Sequence, residues 1–159
     1  MVAEIDITKY LPHRAPFLMV DVITHLEEKA VETTFKILPD NIFVDANGQF
    51  IEAGLVENAA QNCAAIVAKG FFVDENLEDK TGASVIGFIS AIKTLKVFEL
   101  PKAGDVIITK SSLISNFATD DYCLCTMHCQ TFVGQKQLLD GEINLFIQQQ
   151  APTVVKSNL

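Results

Sequence analysis

Two polar side chains four positions apart, Glu57 and Gln61, interrupt a run that is otherwise almost entirely small and apolar, FIEAGLVENAAQNCAAIVAKG (50–70). On a helix, positions i and i+4 share a face, so the pair would present a carboxylate beside an amide. A carboxylate within an apolar helix is costly unless it is paired or reaches water. Glu57 therefore needs a reason. Acid–base chemistry is one, because burial against Val56 and Ala60 would favour the protonated form that a proton donor requires. Simple pairing with Gln61 or with backbone is the other. The remaining reactive side chains are few: histidines 13, 25 and 128, and cysteines 63, 123, 125 and 129. His25 and His128 read as ordinary strand residues. Cys123, Cys125 and Cys129 are in phase for one face of a strand, and no CxxC spacing occurs. They read as reduced core thiols rather than a zinc site.

The elements that must position Glu57 follow from periodicity. Residues 50–70 predict a helix about 30 Å long, apolar around nearly its whole circumference and so buried. Ahead of it, 4–10 suit a short helix or extended arm. Pro12 and Pro16 then impose an extended approach. Strands are expected over 17–28 and 30–38, the second alternating at Val31, Thr33, Phe35 and Ile37, with a loop over 39–49. After a charged connection at 73–83, four strands follow at 84–100, 105–116, 122–133 and 137–148, punctuated by Pro101, Gly104 and Gly134. A sheet can bury such a helix on most sides only by curling around it. The pattern predicts an α+β hot-dog fold, a long central helix wrapped by a curved antiparallel sheet. It is expected as one domain over residues 1–150 with a flexible tail at 151–159. Such domains leave a sheet edge and part of the helix uncovered, so a homodimer is expected.

Composition narrows the function. The net charge of −8 with a single arginine, Arg14, offers no basic stripe for nucleic acid. The apolar segments fall short of the ~20 residues of a membrane span, and no secretion signal opens the chain. A soluble cytoplasmic protein is expected.

The segment LPHRAPFLMVDVI, through Leu11, Pro12, His13, Arg14, Pro16, Phe17, Val20 and Asp21, resembles the N-terminal signature of the 3-hydroxyacyl-acyl-carrier-protein dehydratases. The family's helix carries E-A-x-A-Q, similar to Glu57-Asn58-Ala59-Ala60-Gln61. The run GFISAIKTLKVFELPKAGD resembles a third family segment, ending at Pro101, Gly104 and Asp105. The resemblance implies elimination of water from a 3-hydroxyacyl thioester in fatty acid or related acyl-chain synthesis. The base would be a histidine, the acid the helix carboxylate (here Glu57, oriented by Gln61), and amides at the helix start would polarise the carbonyl (here around Glu52, Ala53, Gly54 and Leu55). It implies no metal or other cofactor, since the phosphopantetheine arm arrives on the substrate. Phe88, Ile89 and Ile92 could line an acyl tunnel. Arg14, Lys93, Lys96 and Lys102 could meet an acidic acyl carrier protein.

One departure matters. The family's histidine lies in a G-H-F-P segment before the helix, where this chain reads IFVDANGQFIEAG, without histidine or proline. The family's helix-start glycine falls at Glu52, and Gly54 is out of that register. Three explanations remain open. His13 could take the role, although its family counterpart belongs to the structural turn. Asp45, Asn47 or Gln49 could act instead, a carboxylate base with water suiting thioester hydrolysis. Alternatively the chain could be a non-catalytic acyl-binding subunit paired with a histidine-bearing homologue.

Overall fold

The computed structural model describes residues 4–72 and 84–150. The predicted charged connection at 73–83 and tail at 151–159 lie outside the described residues. The strands are β1 (Ile5–Asp6), β2 (Val22–Leu26), β3 (Ala30–Lys36), β4 (Ser84–Val97), β5 (Val106–Ala118), β6 (Tyr122–Val133) and β7 (Lys136–Gln150), with one helix, α1 (Glu52–Phe72). They form a seven-stranded antiparallel sheet in the order β1-β2-β3-β5-β6-β7-β4. The sheet curls around α1, which touches every strand from β3 to β7. This is the hot-dog arrangement the helix composition demanded.

Strand alternation builds the core. On β6, Cys123, Cys125, Met127 and Cys129 all point inward and are buried, facing Leu55, Ala59 and Cys63 of α1. The small helix residues allow this close approach, and the thiols act as small apolar groups. Burial pushes the Cys63 thiol well up and raises Cys125 to about 12. The hydrogen bond with Cys63 holds the Cys129 thiol below its usual range, but all four thiols are buried and are expected to resist a thiol reagent at neutral pH in the folded protein and to react fully in denaturant. Rapid native labelling of any of the four would contradict this packing.

Gly54 marks the tightest contact at the helix start. A Cβ there would lie 2.6 Å from Phe50 Cζ and 2.8 Å from Phe43 Cβ. Phe50 is fully buried and cannot yield, so Gly54→Ala should cost about 1–3 kcal/mol by overpacking. A lowered denaturant midpoint with an unchanged slope would register it.

The strand predicted over 17–28 is shorter than expected, beginning only at Val22. The Phe17 and Leu18 amides instead donate to the Arg14 carbonyl, and the Phe17 carbonyl and both backbone groups of Met19 pair with side chains of α1. An apolar run there resembles a strand in sequence because hydrophobicity does not reveal which partner takes the N–H and C=O groups.

Candidate active site

The site begins in the turn between β1 and β2. Asp6 caps a short 3-10 helix (Ile7–Lys9), accepting hydrogen bonds from the Thr8 amide (2.9 Å) and hydroxyl (2.7 Å). The Arg14 guanidinium then donates to three backbone carbonyls, those of His13 (2.7 Å), Leu11 (2.8 Å) and Thr8 (3.3 Å). A planar five-donor group suits such a clasp. It folds the LPHR segment back on itself and fixes the turn that carries His13.

α1 secures the other side. Gln61 donates its amide to the Phe17 carbonyl (2.9 Å) and accepts from the Met19 N–H (2.7 Å). Asn58 donates to the Met19 carbonyl (2.6 Å), so one helix holds both backbone groups of Met19. Behind Asn58 lies a buried polar ladder. The Thr109 hydroxyl donates to Asn58 Oδ1 (2.6 Å) and meets the Thr131 hydroxyl (3.0 Å). Asn62 donates to Thr33 Oγ1 (2.8 Å) and the Thr109 carbonyl (3.0 Å).

These anchors bring the turn onto α1. Gln61 Nε2 also donates to Glu57 Oε1 (2.8 Å), and His13 Nε2 stands 3.9 Å from that same oxygen. The second distance is too long for a hydrogen bond, so imidazole and carboxylate face each other without consuming each other's polar atoms. His13 Nδ1 is buried and makes no hydrogen bond among the described residues. Glu57 is not enclosed as its helix suggests: its side chain is 35% exposed and that of His13 31%. Both open onto a cavity of about 300 Å³ between α1 and the β4–β7 edge. Ala60 and Ala64 form its helix side, and Ile89, Leu145 and Ile147 its sheet side. An acid, an imidazole and an amide thus converge at the mouth of an apolar chamber, an arrangement suited to proton transfer on a ligand with a greasy tail.

The structure brings together His13, Glu57, Gln61, Phe88 and Ile89 of the residues singled out by sequence. Ile92 is exposed and lies outside the cavity. Glu52, Ala53, Gly54 and Leu55 do not line it either, and the Gly54 and Leu55 amides donate to the Ile51 carbonyl (3.0 and 3.2 Å). Asp45 closes its own loop by accepting from the Asn47 and Gln49 amides (both 2.9 Å). Asn47 and Gln49 border a second, more polar cleft with Lys102. Lys93 pairs with Glu142 (3.8 Å), and Lys96 Nζ sits 5.1 Å from the Phe98 ring centre. His25 pairs with Glu27 and His128 with Asp140, both at the strand surface. Tyr10, Leu145 and Ile147 also line the cavity without belonging to any of the three motifs, and so does Gly87, the first residue of the GFISAIKTLKV run. Among the described residues no three His, Cys, Asp or Glu side chains gather as a cation site, and no helix is long and apolar enough to cross a membrane.

A buried helix gripped by one curved sheet, with an acid and an imidazole facing each other beside an apolar cavity, defines a hot-dog protein. Within that class the chain belongs to the ApeP-like dehydratase family, whose model, described as ApeP dehydratase, matches residues 5–156. The 3-hydroxyacyl-[acyl-carrier-protein] dehydratase FabZ of Sulfurovum sp. (strain NBC37-1) is 27% identical over 152 residues, covering 90% of this chain and 95% of that protein. FabZ of Campylobacter jejuni (strain RM1221) is 30% identical over 153 residues, covering 92% and 98%. Among solved structures, the dehydratase heterocomplex ApeI:P from Xenorhabdus doucetiae shares the fold with a TM-score of 0.74. Its identity is 15%, with 94% of this chain and 93% of that chain covered.

Proposed function

We propose that this chain eliminates water from 3-hydroxyacyl thioesters, with His13 as base and Glu57 as acid. The observation that carries this reading is the 3.9 Å approach of His13 Nε2 to Glu57 Oε1 at the mouth of the apolar cavity. The acyl tail enters the chamber and the 3-hydroxyacyl head stays at the mouth. His13 takes the C2 proton and protonated Glu57 gives its proton to the departing C3 hydroxyl. The C2–C3 double bond forms as water leaves, so the electron count closes without a cofactor. Gln61 holds the carboxyl towards the substrate. The curated names of the FabZ relatives support a thioester borne on an acyl carrier protein. The surface lysines Lys93, Lys96 and Lys102 offer such a carrier its cationic contacts, and the subunit pairs as a homodimer.

Incubating the protein with 3-hydroxyoctanoyl-pantetheine should raise the absorbance of the enoyl thioester, and His13→Ala should lower that rate by about 10²–10⁴-fold. An unmodified protein that yields no enoyl product would overturn the proposal for the chain alone. A second reading is favoured by the lack of histidine in the loop before α1 and by the ApeI:P structure being a heterocomplex. In that reading a histidine-bearing homologue supplies the base across an interface. Activity appearing only when such a partner is mixed in would select it.

A further inference from the structure

We propose that Gly87 of β4 sets the length of the acyl tail the cavity accepts, an inference that rests on reading this cavity as the seat of an acyl thioester. The His13 and Glu57 side chains of the lining are about one-third exposed, whereas Ala60, Leu145 and Ile147 are buried. A ligand therefore keeps its reacting head outside and its tail inside. The cavity volume of about 300 Å³ stands at the lower end of ligand sites, so each added side-chain atom within it matters.

Strand pairing shows where a side chain at position 87 would go. Gly87 pairs with Ile147, which is buried and faces the core, and Phe88 pairs with Phe146. The Phe88 and Phe146 side chains leave by alternation from the other face, their rings tilted by 34° with centroids 5.1 Å apart. By alternation, a Cβ on Gly87 would project into the chamber beside Ile147. Its neighbours would be Ile147 Cγ1 at 3.5 Å and the Phe146 carbonyl oxygen at 3.9 Å, both ordinary contacts, with nothing from α1 within 4 Å among the described residues. Gly87 is also not among the glycines with positive φ, which are Gly48, Gly104 and Gly134. Neither backbone strain nor crowding calls for glycine here, and glycine is a poor strand former. Gly87 is exposed, and what its missing side chain leaves is open space on the β4 side of the cavity.

The test compares the unmodified protein with Gly87→Ala and Gly87→Val against 3-hydroxybutyryl-, 3-hydroxyoctanoyl- and 3-hydroxydodecanoyl-pantetheine. Binding is read by the ligand-induced rise in melting temperature and turnover by enoyl absorbance. Binding of the butyryl probe should persist in both variants. Affinity for the longest accepted tail should fall at least about 10-fold in Gly87→Val, with Gly87→Ala intermediate. Variants whose length dependence stays parallel to that of the unmodified protein overturn the proposal. An unmodified protein that binds the probes but forms no enoyl product removes the acid–base assignment, and the binding series still decides the role of Gly87. Binding of none of the three overturns both.

Discussion

Glu57→Gln should reduce enoyl thioester formation by about 10²–10⁴-fold, the range in which positioned acids contribute, while leaving the melting curve almost unchanged. The separation of the two effects follows from the local bonds. Gln61 donates to Glu57 Oε1 at 2.8 Å, and a glutamine carbonyl oxygen at position 57 can accept the same hydrogen bond. The side chain is 35% exposed, so no charge has been locked away from water and stability should shift by less than about 0.5 kcal/mol. What glutamine cannot do is release a proton to a departing hydroxyl. A variant that keeps full activity would remove Glu57 from the chemistry. One that loses activity only in proportion to unfolding would make it a structural residue.

The largest stability effect is expected one position further along the helix. Asn58→Ala should lower stability by about 2–4 kcal/mol and the melting temperature by roughly 5–15 °C. The Met19 carbonyl loses its donor and the Thr109 hydroxyl its 2.6 Å acceptor, both in a buried setting. A buried polar group left without a partner costs about 1–3 kcal/mol. Thr131, 3.0 Å from Thr109, offers that hydroxyl a substitute acceptor, which holds the total below the sum of two full penalties. Thr131→Val should cost less, because Thr109 keeps its bond to Asn58. The reverse order of the two variants in a denaturant titration would show that the ladder is not organised around Asn58.

Much of this architecture could be read from residue types. The alanine-rich helix announced its burial, the alternation of Cys123, Cys125 and Cys129 announced an inward strand face, and the four-residue spacing of Glu57 and Gln61 announced their shared side. Each signal is local, carried by a period of 3.6 or 2. The approach of His13 to Glu57 is not local. It depends on Gln61 accepting from, and Asn58 donating to, the backbone of Met19 some forty residues earlier, and no periodicity encodes that choice. The LPHR motif marks His13 as part of a turn and leaves it one of several candidate bases, because nothing local in the sequence joins that turn to Glu57. Asn58 read only as a polar interruption of the apolar helix. Its function lies in the far partners Met19 and Thr109, which become its neighbours only after the sheet closes. Gly87 opens the GFISAIKTLKV run, yet the run does not say what the glycine does, because its contribution is a missing side chain and absent volume has no period.

The chain's one guanidinium sits on an exposed residue but commits three of its five N–H donors to the carbonyls of Thr8, Leu11 and His13. Every other fixed cation on this acidic protein is a lysine ammonium, which meets an anion as a point rather than as a two-pronged fork. Recognition of a negatively charged partner through those lysines would then be loosely oriented and quickly weakened as ionic strength rises.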